Sequence, residues 1–344
     1  MDSGRFYALL RFEEASLALR AVLRMNLVDR LSDKTFSLEE LRQLFGFTEQ
    51  AARTFFPLLH VMGILEVAED AYRVTELAAT CLADRRATSR KPYLAIGTGA
   101  EVDSFIQLLQ GEHAADALPL YRGADAGETV MDLPEVAEEI AFGLASRARN
   151  FATPLAQAIA AQKIKARTIA DLGAGSPYVA QACLEAMPNL ERVTLVDRPN
   201  AMRFALELAE REGFDCDRLE FREGDFFQAV PVADVYVVSN TAHDWRRAEY
   251  TTIANHIADV IPADGLVCIH EPLLTTAWQS QDSWVHALWM ACYAQTLFRI
   301  TRGEGTCYSL EEHHEIMANS GFHPVGSPVA TSDGCTALFF RKTG

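Results

Sequence analysis

Residues 168–177 read TIADLGAGSP: an apolar run that ends in Asp171 and meets two glycines, Gly173 and Gly175, almost at once. Apolar residues running into Gly and Pro read as a buried strand that stops at a turn. Glycines at such a turn tolerate positive φ and let a ligand approach the backbone closely. Alone the pattern is common. The segments downstream give it weight. RVTLVD (192–197) ends in Asp197, LEFREGDFF (219–227) brings Asp225 and Phe226, ADVYVV (233–238) runs into SNTAHDWRRAEY (239–250), and GLVCIHEPLL (265–274) is one more apolar run. Helical stretches separate these segments. The alternation predicts a doubly wound, mostly parallel α/β sheet that binds its ligand at the strands' carboxyl ends.

The strand-end acids narrow the ligand to a nucleoside. Asp197, 26 residues after Asp171, is placed at the tip of the second strand to hydrogen-bond ribose hydroxyls. NAD and S-adenosylmethionine both suit that layout. A dinucleotide fingerprint needs G-x-G-x-x-G, and here Tyr178 stands where the third glycine belongs. Asp171 beside the glycines would repel a pyrophosphate, whereas it suits the ammonium of a methionine moiety. S-adenosylmethionine is the better ligand, with Asp171, Gly173, Gly175, Asp197, Arg198, Asp225, Phe226 and Ser239 as candidate contacts.

The front of the chain has another character. Residues 6–30 carry Leu and Val at helical spacing, Ser37 with Glu40 forms a capping-box pattern ahead of a helix that Gly46 would end, and TEQAARTFFPLLHVMG (48–63) is a further capped helix. ILEVAEDAYRVTE (64–76) then reads as a hairpin turning at Glu69 and Asp70. Three helices and a hairpin predict a winged helix over residues 1–85. Residues 1–84 hold nine Arg/Lys against thirteen Asp/Glu, a net of −4, so the phosphate contacts that drive DNA binding are missing. A dimerisation module is expected instead. Residues 86–165 read as a mostly helical linker that lends one wall to a pocket, and residues 166–344 as the S-adenosylmethionine-binding domain.

A net charge of −16 argues against nucleic acid and anionic membranes as partners. The first twenty residues carry charges that interrupt any signal-peptide core, and no run approaches the ~18 apolar residues of a membrane span. Seven cysteines without CxxC spacing are expected to be reduced thiols of a cytoplasmic protein.

Taken in order, DLGAGSP, LVD, GDFF and HDW resemble the S-adenosylmethionine-dependent small-molecule methyltransferases of the plant-type and bacterial antibiotic O-methyltransferase group. The resemblance spans nearly the whole chain, winged-helix homodimerisation domain included. It departs at Pro177, where the family usually has a third glycine. The resemblance implies a small-molecule acceptor and gives His243 the role of the base that takes the acceptor's proton, with Asp244 beside it. Histidine suits that work because its ordinary pKa lies near neutrality.

Two acceptors stay open. The family's orienting Glu aligns with Cys307, and its buried Asp or Asn on the preceding helix aligns with Gln295. Those changes resemble the branch that methylates C3 of 2-oxo acids, the phenylpyruvate and 2-ketoarginine C-methyltransferases. That branch implies a metal ion, iron or zinc, held by His243, Asp244 and Gln295, which would acidify C3 as a Lewis acid. Gln295, Phe298, Arg299, Arg302 and Ser104 are the expected acceptor contacts, with an arginine on the carboxylate. The acidic chain would suit a cationic far end such as that of 2-ketoarginine. C-methylation leads this reading; O-methylation of a phenol or other hydroxyl, with His243 as base, is the alternative.

Overall fold

In the computed structural model the apolar runs pair as the alternation requires. The structure describes residues 4–32, 34–68, 70–84, 89, 91, 100–112, 129–276, 281–331 and 334–343. Chain contacts divide the molecule into two compact units, Met1–Ala117 with Leu274–Cys307 and Leu118–Leu273 with Tyr308–Gly344.

The first unit begins with helices α1 (Gly4–Arg24) and α2 (Leu27–Leu31), which break at Asn26, a residue in the left-handed region. After a short strand β1 (Phe36–Ser37), the Ser37 hydroxyl and Glu40 close the expected capping box on α3 (Leu38–Phe45), and Gly46 ends that helix with φ +68°. Thr48 caps α4 (Glu49–Val61), and β2 (Leu65–Ala68) with β3 (Ala71–Val74) form the hairpin. β1 pairs with β3, giving sheet order β1-β3-β2, the winged-helix arrangement. Asp70 takes φ +62° at the hairpin turn; Glu69, its expected partner there, lies outside the described residues. Short α5 (Glu76–Leu82) follows, then α6 (Ala100–Leu109). Most of residues 85–99 and all of 113–128, expected from the sequence to be helical linker, lie outside the described residues.

In the second unit α7 (Pro134–Ala160) precedes the sheet. Strands β4 (Thr168–Leu172), β5 (Arg192–Asp197), β6 (Leu219–Glu223), β7 (Val235–Ser239) and β8 (Leu266–Glu271) run parallel to one another. Helices α8 (Tyr178–Ala186) and α9 (Pro199–Glu212) follow β4 and β5, and α10 (Arg247–Val260) follows β7. α11 (Gln281–Ile300) returns to the first unit, and α12 (Leu310–Asn319) leads into β9 (Phe322–Pro324), β10 (Val329–Ala330) and β11 (Thr336–Lys342). The main order is β10-β11-β8-β7-β4-β5-β6, with β11 antiparallel to β8.

Alternation along the strands divides the second unit's core in two. Ile169, Val193, Leu195, Val237 and Cys268 face one side with α7, α8 and α9, whereas Leu172, Val196, Val238 and Ile269 face the other with α10 and α12. Strands covered on both faces read as continuous apolar runs, which explains VYVV and LVCI. Polar residues are left for the strand ends. Chain order reverses between β4 and β7, so the crevice opens at their carboxyl ends.

Gly173 serves packing as much as any ligand. It sits at φ +74°, and a Cβ there would lie 2.4 Å from Thr241 Oγ1 and 2.7 Å from its Cγ2. Gly173→Ala is therefore expected to cost about 1–3 kcal/mol, from left-handed strain and the collision together. Thr241→Ala in the same chain should return part of that loss. Urea unfolding measures both, and an unchanged midpoint in the single variant would refute the steric account.

Candidate active site

A cavity of about 520 Å³ opens at this switch point, within the range of small-ligand sites. Gly173 and Gly175 form its floor, and nothing lies within 4 Å of where a Cβ of Gly175 would stand. Asp197 lies on the wall at the tip of β5. Its two carboxylate oxygens accept from the backbone N–H groups of Gly175 (2.9 Å) and Arg198 (2.7 Å), which fixes its orientation. Burial nevertheless pushes its pKa up against those bonds. Asp225 and Phe226 line the cavity beyond β6, where Asp225 also accepts from Phe227 N at 2.9 Å. The rings of Phe226 and Phe227 meet Trp245 edge-on, at 6.0 and 4.9 Å, and make an aromatic wall.

The lining carries Asp132, Asp197, Glu223, Asp225 and Asp244, against Arg198 as its one cation among the described residues. Arg198 is itself engaged, donating to Thr129 Oγ1 at 2.8 Å and lying 3.3 Å from Asp132. The cavity is anionic and suits a cationic ligand.

Two expected cofactor contacts stand off the wall. Asp171 points to the α8 side of the sheet and is 2% exposed; burial, then the charge of Asp197, pushes it up to about 7. Ser239 hydrogen-bonds His270 Nδ1 at 2.8 Å, and the next two residues, Asn240 and Thr241, line the cavity in its place. Asn240 holds φ +52° there, a conformation asparagine tolerates better than most residues.

The loop after β7 places His243 in a short 3₁₀ turn, Ala242–Asp244, with His243 and Asp244 both buried. The residue that organises this turn is not among those singled out from the sequence. Glu271, the last residue of β8 and 1% exposed, accepts from Thr241 N and Ala242 N, each at 2.8 Å, through Oε1. Its Oε2 lies 2.5 Å from His243 Nδ1. Burial opposes the carboxylate, but the charge and hydrogen bond of His243 outweigh it and hold Glu271 below its ordinary pKa. The converse holds for His243: burial lowers its pKa, and the charges of Glu271 and Asp244 more than reverse this. An ionised Glu271 only accepts, so Nδ1 carries the proton and Nε2 becomes the basic atom of the neutral ring. Asp244 Oδ1 lies 3.7 Å from Nε2, and burial drives Asp244 up to about 7. An acid ending an otherwise apolar strand was the signal available in IHEPLL, the same one read at Asp171 and Asp197.

The orienting carboxylate that Cys307 lacks comes from Glu271, and Cys307 is a buried member of an apolar cluster with Met290, Tyr293 and Leu297. Gln295 belongs to the first unit, on α11, where Ala291, Cys292 and Phe298 at its i±3 and i−4 positions are core residues shared with α1 and α4. Phe298 is thus core. Arg299, the expected carboxylate clamp, donates to Glu14 Oε1 at 3.0 Å and also meets Glu13. Arg302 takes φ +56° just past the end of α11, and Ser104 is exposed on α6. Among the described residues no three His, Cys, Asp or Glu side chains are arranged to hold a metal ion. Gln295 is fully buried, and neither its Oε1 nor its Nε2 has a hydrogen-bond partner among the described residues.

The family model described as the O-methyltransferase domain matches residues 128–323, more than half of the chain. The chain belongs to this family. A solved O-methyltransferase family 2 protein from Planctomyces limnophilus, in complex with apigenin, superposes with a TM-score of 0.83 at 26% identity over 100% of this chain and 97% of that one. Among curated relatives, the mitomycin biosynthesis 6-O-methyltransferase of Streptomyces lavendulae is 36% identical over 110 residues, 32% of this chain and 31% of its own length. The O-demethylpuromycin-O-methyltransferase of Streptomyces alboniger is 26% identical over 215 residues, covering 62% and 54%. The chain spans less than two thirds of the length of these curated relatives. Among the described residues no helix is long and apolar enough to cross a membrane.

Proposed function

We propose that the protein transfers a methyl group from S-adenosylmethionine to a hydroxyl oxygen of a small molecule, with His243 as general base. The observation that carries this is the 2.5 Å bond from Glu271, at the end of β8, to His243 on the loop that edges the acidic cavity. Asp197 and the Gly173–Gly175 floor would hold the nucleoside, and the wall of Phe226 and Trp245 its base. Bound there, S-adenosylmethionine supplies an electrophilic methyl group on a sulfonium whose positive charge the acidic lining favours. Asp171 and Ser239 would support this site from behind its wall. Nε2 of His243 takes the proton as the acceptor oxygen attacks, and Glu271 steadies the imidazolium that forms.

An oxygen acceptor is favoured because several supports for methylation at C3 of a 2-oxo acid have another role. Glu271 orients the histidine, Phe298 belongs to a core, and Arg299 is paired with Glu14. Membership of a family defined by its O-methyltransferase domain points the same way. The apigenin-bound neighbour makes a phenol the first acceptor class to examine.

Incubation with labelled S-adenosylmethionine and a panel of phenols, apigenin included, beside a panel of 2-oxo acids tests the proposal. Label should appear in a phenol at an unchanged rate in EDTA. Transfer confined to 2-oxo acids, and abolished by the chelator, would restore the C-methylation reading.

A further inference from the structure

Behind the loop that carries His243 lies a buried cluster that the proposed chemistry does not use. Tyr250 on α10, Tyr308, and His313 on α12 form a closed triangle with ring centroids 5.6, 5.6 and 5.7 Å apart. All three are essentially inaccessible to solvent. The Tyr250 hydroxyl lies 3.0 Å from His313 Nδ1, and the Tyr308 hydroxyl donates to the backbone carbonyl of Trp245 at 2.7 Å. Trp245 is two residues beyond His243, at the other end of the loop that Glu271 holds through Thr241 N and Ala242 N.

Histidine is an expensive choice at position 313. Its Nε2 is buried without a hydrogen-bond partner, a situation that costs about 1–3 kcal/mol. Phenylalanine would fill the same space without that penalty, so packing alone does not account for the residue. The bond from Nδ1 to Tyr250 does. Burial also lowers the His313 pKa to about 4, which keeps the ring neutral across the working range and removes it as a proton carrier.

We propose that His313 is a positioning residue for His243. By fixing the Tyr250 hydroxyl it locks the Tyr250–Tyr308 ring pair, and Tyr308 pins the Trp245 carbonyl. The loop is thereby clamped at both ends. A base needs its supporting groups held to about 0.5 Å, and the Tyr308 bond adds a tie at the far end of the loop to those that Glu271 makes at Thr241 and Ala242. The catalytic value of this clamp rests on His243 being the base; the clamp itself does not.

The test compares His313→Phe, Tyr250→Phe and His313→Asn in the full chain, with three readouts that need no acceptor. The first is the unfolding midpoint in urea. The second is hydrogen exchange at the amides of residues 241–245. The third is the downfield imidazole proton of the short His243–Glu271 bond, assigned by its loss in His243→Gln. His313→Phe removes the orphaned nitrogen but leaves the buried Tyr250 hydroxyl unpaired, so the midpoint should change little. Exchange in the loop should nevertheless quicken about tenfold, and the downfield proton should broaden or move upfield. Tyr250→Phe should reproduce both changes. His313→Asn, whose amide reaches the place of Nδ1, should restore both. Wild-type exchange and an unmoved proton signal in both Phe variants would overturn the proposal. So would changes that merely track a falling midpoint and that His313→Asn does not repair. Turnover retained in His243→Gln would sink the base assignment and leave the clamp standing, so the two failures are distinguishable.

Discussion

Glu271→Gln is expected to lower turnover about 10²- to 10⁴-fold while the fold and the affinity for S-adenosylhomocysteine stay as they are. The substitution keeps the shape of the side chain and changes what it offers to His243. Glu271 accepts three hydrogen bonds, from Thr241 N, Ala242 N and His243 Nδ1. A glutamine oxygen can still serve the two backbone groups, which leaves its NH₂ facing Nδ1. The ring must then accept at Nδ1 and carry its proton on Nε2, the atom that should take the acceptor's proton. The corresponding Asp→Asn change in a serine-hydrolase triad costs about 10⁴ through the same wrong tautomer. Steady-state kinetics beside calorimetry separate the two effects. A Glu271→Gln protein within a factor of three of wild-type turnover would show that the carboxylate does not set the tautomer.

The second large effect belongs to the base itself. His243→Ala should lose about 10²- to 10⁴-fold in turnover, the usual contribution of a positioned base, with cofactor binding preserved. The pH dependence adds a sharper check. A base acts in its neutral form, so the wild-type rate should rise with pH through a pKa above the ordinary histidine value, since Glu271 and Asp244 hold the proton against burial. In Glu271→Gln the acid limb of whatever rate remains should move to lower pH. Stability follows the same pair with opposite signs. Glu271 has a lowered pKa in the folded protein, so its contribution is present above the unfolded carboxylate value and is lost as pH falls through the folded one. His243 has a raised pKa, so its contribution is complete below about 6.5 and is lost as pH rises through the folded value. The pair therefore stabilises most between about pH 4.5 and 6.5, and urea midpoints of wild type and His243→Ala should differ most there. Equal midpoints across that window would show that the ion pair contributes nothing to the fold.

The sequence by itself determined the alternating architecture and the cofactor crevice. Runs such as VYVV and LVCI are legible because strands covered on both faces exclude polar residues from everything but their ends. Polar residues at those ends therefore stand out, and Asp197 and Asp225 could be placed on the crevice from spacing alone. The capping box of Ser37 and Glu40 was equally legible, because its bonds close within four residues. Short-range rules act on short stretches of chain, and a linear reading holds them.

Only the tertiary structure decided which acid serves His243. Glu271 lies 28 residues further on and meets it because β7 and β8 are hydrogen-bonded neighbours that end at the same level. A search near Cys307 looks for the carboxylate along the chain, whereas strand pairing supplies it from the adjacent strand. The same holds for Arg299, a clamp for a substrate carboxylate by its sequence, which α1 pairs with Glu14 across 285 residues. Gly173 has the pattern of a ligand glycine and is cleared for Thr241, 68 residues away. Burial and charge pairing act through space and take whatever the fold delivers. The local pattern names the groups able to do the chemistry, and the packing of distant segments chooses among them.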